Sequence, residues 1–330
     1  MDAPLWAWGA TLGVILLALA LDLFVFHREA REVSLLEAAR ASLGWVALGV
    51  TFGVVVWVWG GTGAGEEYFA GYLIEKALSV ENIFVFALVL GYFAVPPANQ
   101  HRVLFFGVLG ALILRGAFIA GGKALLDNFH WMVYVFGGFL VLTAIRLATQ
   151  SEISVDPGRN PLLRAVRRLV PMTDRYEGQR FWVRRAGKLL ATPMLAVLVA
   201  VETTDVVFAV DSIPAIFAVT TSTFIVFTSN AFALLGLRAL YFLLAGAMHR
   251  LAYLKIGLAA VLALVGVKML ITDFYKVPIA ISLGAIAAIL AAAVAASLWK
   301  ARSLEAAGAR HPAPADTAST GEGEDRAHDP

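Results

Sequence analysis

Apolar residues run along this chain in continuous blocks of about 20, separated by short polar stretches. A hydrocarbon core about 30 Å thick takes roughly 20 apolar helical residues to cross. Each block therefore reads as one membrane span. The blocks lie at 5–26, 41–60, 70–93, 102–122, 131–149, 192–219, 223–247, 252–272 and 277–300. Membrane strands would instead alternate apolar and polar over about ten residues, and these Leu-, Ala- and Val-rich runs do not alternate. The pattern predicts an all-α fold: a polytopic transmembrane helical bundle of about nine spans within residues 1–300.

The polar stretches carry the topology. Segments 27–40, 94–102, 146–191 and 248–255, with the tail from Lys300, hold twenty of the 26 basic residues, and the opposite side holds only Lys123 and Lys276. Positive charge marks cytoplasmic loops, so the N-terminus is placed outside and the C-terminus in the cytoplasm. Residues 1–8 lack the positive region of a cleavable signal peptide, so the first span reads as an uncleaved anchor. Within 27–40, Ser34 and Glu37 form a capping box. Residues 150–191 read as a basic cytoplasmic loop with a short amphipathic helix at 161–170, contacting lipid headgroups. Residues 301–330, rich in Ala, Pro, Gly and charge, read as a disordered tail.

Composition agrees. Hydrophobic residues make up 60% of the 330 and charged residues 15%, against roughly 45–50% and 25% in soluble domains. A net charge of +2, with its basic residues placed by topology, gives no reason to expect a nucleic-acid partner. There is no cysteine, which excludes thiolate metal sites. The histidines fall at span ends and in the tail, so a buried multi-histidine site is not expected.

Two segments echo one another. Glu75-Lys76-Ala77-Leu78-Ser79-Val80-Glu81-Asn82-Ile83 in the third span matches Asp205-Val206-Val207-Phe208-Ala209-Val210-Asp211-Ser212-Ile213 in the sixth. Arg115 and Arg238 follow in the fourth and seventh spans. His130-x-x-x-Tyr134 and His249-x-x-x-Tyr253 open the fifth and eighth. The pattern predicts a three-helix repeat, about 70–149 and about 192–272. An odd number of spans separates the copies, so the second is inverted, the plan of many transporters with a site at the repeat interface.

The acids at membrane depth are Glu75, Glu81, Glu202, Asp205 and Asp211, with Asp22 near the inner end of the first span. One charge at the bilayer centre costs about 2.5–3.5 kcal/mol. Five or six unpaired would cost on the order of 15 kcal/mol, at or beyond a domain's whole stability. They must be paired, protonated, hydrated or metal-bound. Arg115, Arg238, Lys76 and Lys268 are too few for all of them. The excess, with Asn82, Ser79, Ser212 and Thr204 nearby, is a hard-oxygen environment suited to Mn²⁺, Mg²⁺ or Ca²⁺. On a continuous helix the two acids of each motif stand about 240° apart. Pro214 offers to break or kink the sixth span beside Asp211 and bring its acids to one site. Gly137 and Gly138 read as close-packing positions.

These motifs resemble the TerC family of integral membrane proteins, within the lysine-exporter superfamily, over about residues 20–300. The stretches that carry the likeness include Leu21–Arg28, Gly71–Asn82, Tyr92–Pro97, Val201–Asp205, Phe208–Phe217, Phe227–Asn230 and Leu235–Gly246. The resemblance implies metal-ion homeostasis, chiefly Mn²⁺ export, with proton coupling. It puts the family's acidic motifs on Glu75, Glu81-Asn82, Glu202, Asp205 and Asp211-Ser212. Glu81 stands where Asp is the commoner family residue, and its longer arm bears on metal preference.

The resulting expectation is a divalent cation exporter of the bacterial inner membrane, not an enzyme, with no permanently bound cofactor. Mn²⁺ is the expected cargo and protons the expected counter-ion. Glu75, Glu81, Asp205 and Asp211 would form the site, Asn82 and Ser212 would be neutral ligands, and Glu202 an entry ligand or proton carrier. A membrane assembly or metal-loading factor is the alternative. A metalloprotease is disfavoured because no His-Glu-x-x-His motif occurs.

Overall fold

The computed structural model describes residues 3–23, 34–149, 161–185, 187–244 and 253–310. It is a helical membrane protein. The helices are α1 (Leu5–Leu21), α2 (Leu35–Tyr92), α3 (Pro97–Asn128), α4 (Met132–Thr149), α5 (Pro161–Leu169), α6 (Pro193–Phe217), α7 (Thr223–Leu235), α8 (Leu237–Leu244), α9 (Leu254–Leu270) and α10 (Ile279–Arg310). Among the described residues, five helices are long and apolar enough to cross a membrane, or six if α7 and α8 form one bent span.

The 58-residue α2 would be about 87 Å long if straight, more than twice a bilayer. It breaks at Gly61, whose φ of 84° and ψ of 177° lie outside helical geometry and suit glycine. Its two halves pack on each other: Tyr68 donates to the Gly49 carbonyl at 2.9 Å, and a Cβ at Gly53 or Gly65 would collide with Tyr68 or Trp57. The second and third expected spans thus lie in one folded-back helix. Its start is fixed by the expected capping box. The Ser34 amide donates to Glu37 at 3.2 Å, and the Glu37 amide donates to the Ser34 hydroxyl at 3.3 Å.

Two expectations meet a different structure. Pro214 does not divide the sixth span, because α6 stays one helix from Pro193 to Phe217. The proline removes the bond to the Val210 carbonyl, but only one turn of helix follows it. The break falls in the seventh span instead, at Gly236, where α7 and α8 meet at 41°. The 150–191 loop also contains strands: β1 (Trp182–Arg185) pairs antiparallel with β2 (Lys188–Ala191). The expected amphipathic helix is α5. Helix α10 runs ten residues into the segment read as tail, and 311–330 fall outside the described residues.

The long helices pack pairwise, α4 on α9, α2 on α7 and α3 on α6. Beside the start of α4, Asp273 accepts from the Tyr134 hydroxyl at 2.5 Å and lies 3.0 Å from His130 Nε2. The hydroxyl first, then the imidazole, holds this carboxylate below its ordinary pKa. The first His-x-x-x-Tyr motif thus ties α4 to the turn after α9; His249 lies outside the described residues.

The α4–α9 contact is glycine to glycine. A Cβ at Gly137 would stand 3.0 Å from the Gly266 carbonyl, and one at Gly266 would stand 2.9 Å from the Gly137 carbonyl; nothing lies within 4 Å of a Cβ at Gly138. Gly137→Val should therefore cost about 1–3 kcal/mol by overpacking. Gly138→Ala should be neutral or stabilise by up to about 1 kcal/mol. Thermal unfolding in detergent checks the pair, and equal melting temperatures would remove Gly137 from the packing account.

Candidate functional site

Arg115 of α3 organises the polar centre. Its guanidinium is 1% exposed and grips Asp205 of α6 with two parallel bonds, Nη2 to Oδ1 at 2.9 Å and Nε to Oδ2 at 3.2 Å. Nη1 donates to Glu75 of α2 and reaches the Ser212 hydroxyl at 3.3 Å. Asn230 of α7 donates to the other Glu75 oxygen at 3.0 Å. Four helices meet here. The two acids are the first acids of the two motifs, so repeat-equivalent side chains share one cation. Counted as ionised, the cluster carries one net negative charge.

The second acids take another place. Glu81 and Asp211 line a cavity of about 40 Å³ together with Asn82, Ser212, Thr143 and Phe208. One water needs about 10–15 Å³ of such space, so the cavity has room for an ion together with water. Asp211 accepts from the Thr143 hydroxyl at 3.0 Å. Asn82 is 1% exposed, and neither its amide nitrogen nor its carbonyl oxygen has a hydrogen-bond partner. Buried polar atoms are rarely left so. Arg115 also borders this cavity and so faces both pairs of acids.

The cause of the split is helix geometry. Both α2 and α6 stay helical through their motifs, so six residues of separation turn the second acid away from the first. Among the described residues no group of three or more His, Asp and Glu converges as a metal cluster. The expected four-acid arrangement is thus two pairs: Glu75 with Asp205 around Arg115, and Glu81 with Asp211 on the cavity.

Glu202 stands apart from the cavity lining. Its carboxylate lies over Gly110 of α3, where a Cβ would sit 2.0 Å from Oε1, and its Oε2 is buried without a hydrogen-bond partner. The other basic residues have separate work. Arg238 pairs with Asp22. Lys76 donates to the Ala233 carbonyl at 2.9 Å, beside the Gly236 break. Sequence reasoning missed Thr143 and Gly110. Thr143 is a lone polar residue in the apolar run Phe139–Ile145, and that was its only signal. The role of Gly110 depends on a side chain 92 residues away and has no local signal.

Because removing one partner of a buried ion pair strands the other, Arg115→Met should cost about 3–5 kcal/mol and lower folded yield in detergent. Adding Glu75→Gln and Asp205→Asn should restore part of it. A single variant with wild-type thermal unfolding would show that Arg115 is not the counter-charge of these acids.

The chain is similar to known membrane proteins along most of its length. It is 50% identical over 295 residues to "Uncharacterized membrane protein STKORF319" of Myxococcus xanthus, covering 89% of this chain and 92% of that one. It is 47% identical over 301 residues to "Putative membrane-bound redox modulator Alx" of Salmonella typhi, covering 88% and 94%. The protein of that name from Escherichia coli K12 is 46% identical over the same coverage. No solved structure matches. The family described as "Integral membrane protein TerC family" matches residues 60–305, three quarters of the sequence, and the chain belongs to that family.

Proposed function

We propose that this protein exports a divalent cation, Mn²⁺ foremost, across the bacterial inner membrane in exchange for protons, with the cation held in the cavity between Glu81 and Asp211. The observation that carries this reading is the lining of the cavity: two carboxylates, Thr143 and Ser212 hydroxyls and an unpartnered Asn82 amide around a space that can hold an ion with water. Two carboxylates balance one divalent charge. All donors are hard oxygens, which suit Mn²⁺, Mg²⁺ and Ca²⁺ over soft metals. Mn²⁺ would take these oxygens at roughly 2.1–2.3 Å, between the Mg²⁺ and Ca²⁺ ranges.

Arg115 supports the selectivity side of the reading. Its charge is committed to Glu75 and Asp205, and the Glu81–Asp211 pair, near the charges of Lys255 and Arg146, is the one we assign to the cargo. Ligating carboxylates must be deprotonated, so an arriving metal displaces any proton they carry. Glu202, the unpartnered acid one α-helical turn before Asp205, is the carrier we assign to that proton. The name of the Salmonella and Escherichia relatives speaks of redox modulation. This chain has no cysteine, so a role of that kind would not run through thiols of its own.

The test is Mn²⁺ flux in proteoliposomes containing only this protein, at a fixed metal gradient with an imposed pH step. An inward proton gradient should accelerate export. Asp211→Asn should lower Mn²⁺ affinity by at least about 100-fold, while the exposed Asp127→Asn leaves it unchanged. Glu202→Gln should transport but lose the pH dependence. Flux that ignores the pH step would point to a channel or uniporter. Absence of any flux would favour the assembly or metal-loading role.

A further inference from the structure

The cytoplasmic segment between α5 and α6 is built, not merely basic. Tyr176 donates to the Phe93 carbonyl at 2.7 Å, Gln179 to the Ala98 carbonyl at 2.9 Å, and Asn99 to the Gly178 carbonyl at 3.0 Å. These bonds seat the segment on the turn between α2 and α3. The burial of the Tyr176 hydroxyl's ring raises its pKa, so the bond persists through neutral pH. Arg185 and Glu177 bridge at 2.5 Å and hold the hairpin to the seat. Gly187, at φ 75°, closes the turn between the strands.

The pairing register then sorts the hairpin's side chains. Trp182 opposes Ala191 and Arg184 opposes Leu189 on one face; Val183 opposes Leu190 and Arg185 opposes Lys188 on the other. Val183 is buried and makes the inner face. The first face leaves Trp182 45% and Leu189 55% exposed, with Arg184 exposed between them. On α5, Leu163 is buried while Leu169 is 81% exposed beside exposed Arg168. Only Thr192 separates β2 from α6, a helix that crosses the membrane. A four-residue strand extends about 13 Å, so the hairpin cannot leave the bilayer surface far behind. Residues 161–191 hold eight basic residues against two acidic ones.

We propose that the Trp182–Arg184–Leu189 face, with the Arg168–Leu169 end of α5, is a docking surface for anionic lipid headgroups of the cytoplasmic leaflet. A tryptophan and two leucines on a water-facing loop would be costly exposed surface, whereas indole rings favour the headgroup level of a bilayer. Basic residues beside them match a negatively charged leaflet. The occupant is the protein's own bilayer, with which the hairpin is continuous through α6. The inference does not depend on which ion the cavity carries.

The absence of cysteine makes the test direct. Leu189→Cys, and separately Leu169→Cys, in the full chain would carry an environment-sensitive fluorophore in lipid nanodiscs. With one quarter phosphatidylglycerol, emission should shift to the blue, lipid-borne quenchers should reach the label and aqueous iodide should not. In pure phosphatidylcholine, or at high salt, iodide access should return. Each basic residue at such a surface is worth about a factor of five in docking, so Arg184→Gln with Arg168→Gln should weaken it about 25-fold. Iodide access independent of lipid would turn this face to the cytoplasm and overturn the proposal. Shielding that is equal in both lipids at any salt would overturn its anionic character.

Discussion

Everything polar in this membrane domain answers to the cost of burying charge in hydrocarbon. Arg115 is where that cost is met. A guanidinium presents five N–H donors in a planar fork, and here they reach Asp205, Glu75 and Ser212 at once. Lysine could not make the parallel pair of bonds to Asp205. Because these acceptors come from two helices and Arg115 from a third, one residue's electrostatics also fixes how α2, α3 and α6 stand to each other. Asn230 adds α7 by completing Glu75. A stable membrane core and a charged site are therefore the same structure.

The remaining acids are defined by what Arg115 does not neutralise. Glu81 and Asp211 lie on the cavity wall with hydroxyl and amide neighbours, outside the ion pairs that Arg115 makes. The division needs no special backbone. Straight helix through both motifs is sufficient, because positions six apart face different neighbours. The breaks sit elsewhere, at Gly61 and Gly236, where one lets α2 return across the membrane and the other bends α7 into α8. Lys76 satisfies a carbonyl next to the second break, so its hydrogen bond serves the backbone.

Glycines permit the distances on which this depends. Gly110 leaves room for the Glu202 carboxylate, and Gly71 lets Ser229 of α7 approach α2. Gly137 and Gly266 bring α4, with Thr143, against α9. Close backbone approach compensates in a membrane for the weak hydrophobic drive between helices.

Hydrophobic block length determined the membrane class, the helical architecture and the positions of the elements, because a bilayer admits few solutions to backbone hydrogen bonding. The capping box at Ser34, an amphipathic helix at about 161–170, the packing glycine at Gly137 and the burial of Glu75, Asn82, Asp205 and Ser212 inside the bundle were also legible, since each depends on spacing within one segment or on a charge that must find a partner. Which partner was not legible. Arg115 and Arg238 follow the two echoing sequence motifs at matching places, yet one joins Glu75 and Asp205 while the other joins Asp22. The β-hairpin was hidden too, because four-residue strands leave little periodicity. Tertiary structure alone decided the pairing of acids, the contribution of Thr143 and the space at Gly110. Those choices depend on how helices distant in sequence rotate against one another, and no local pattern records that angle.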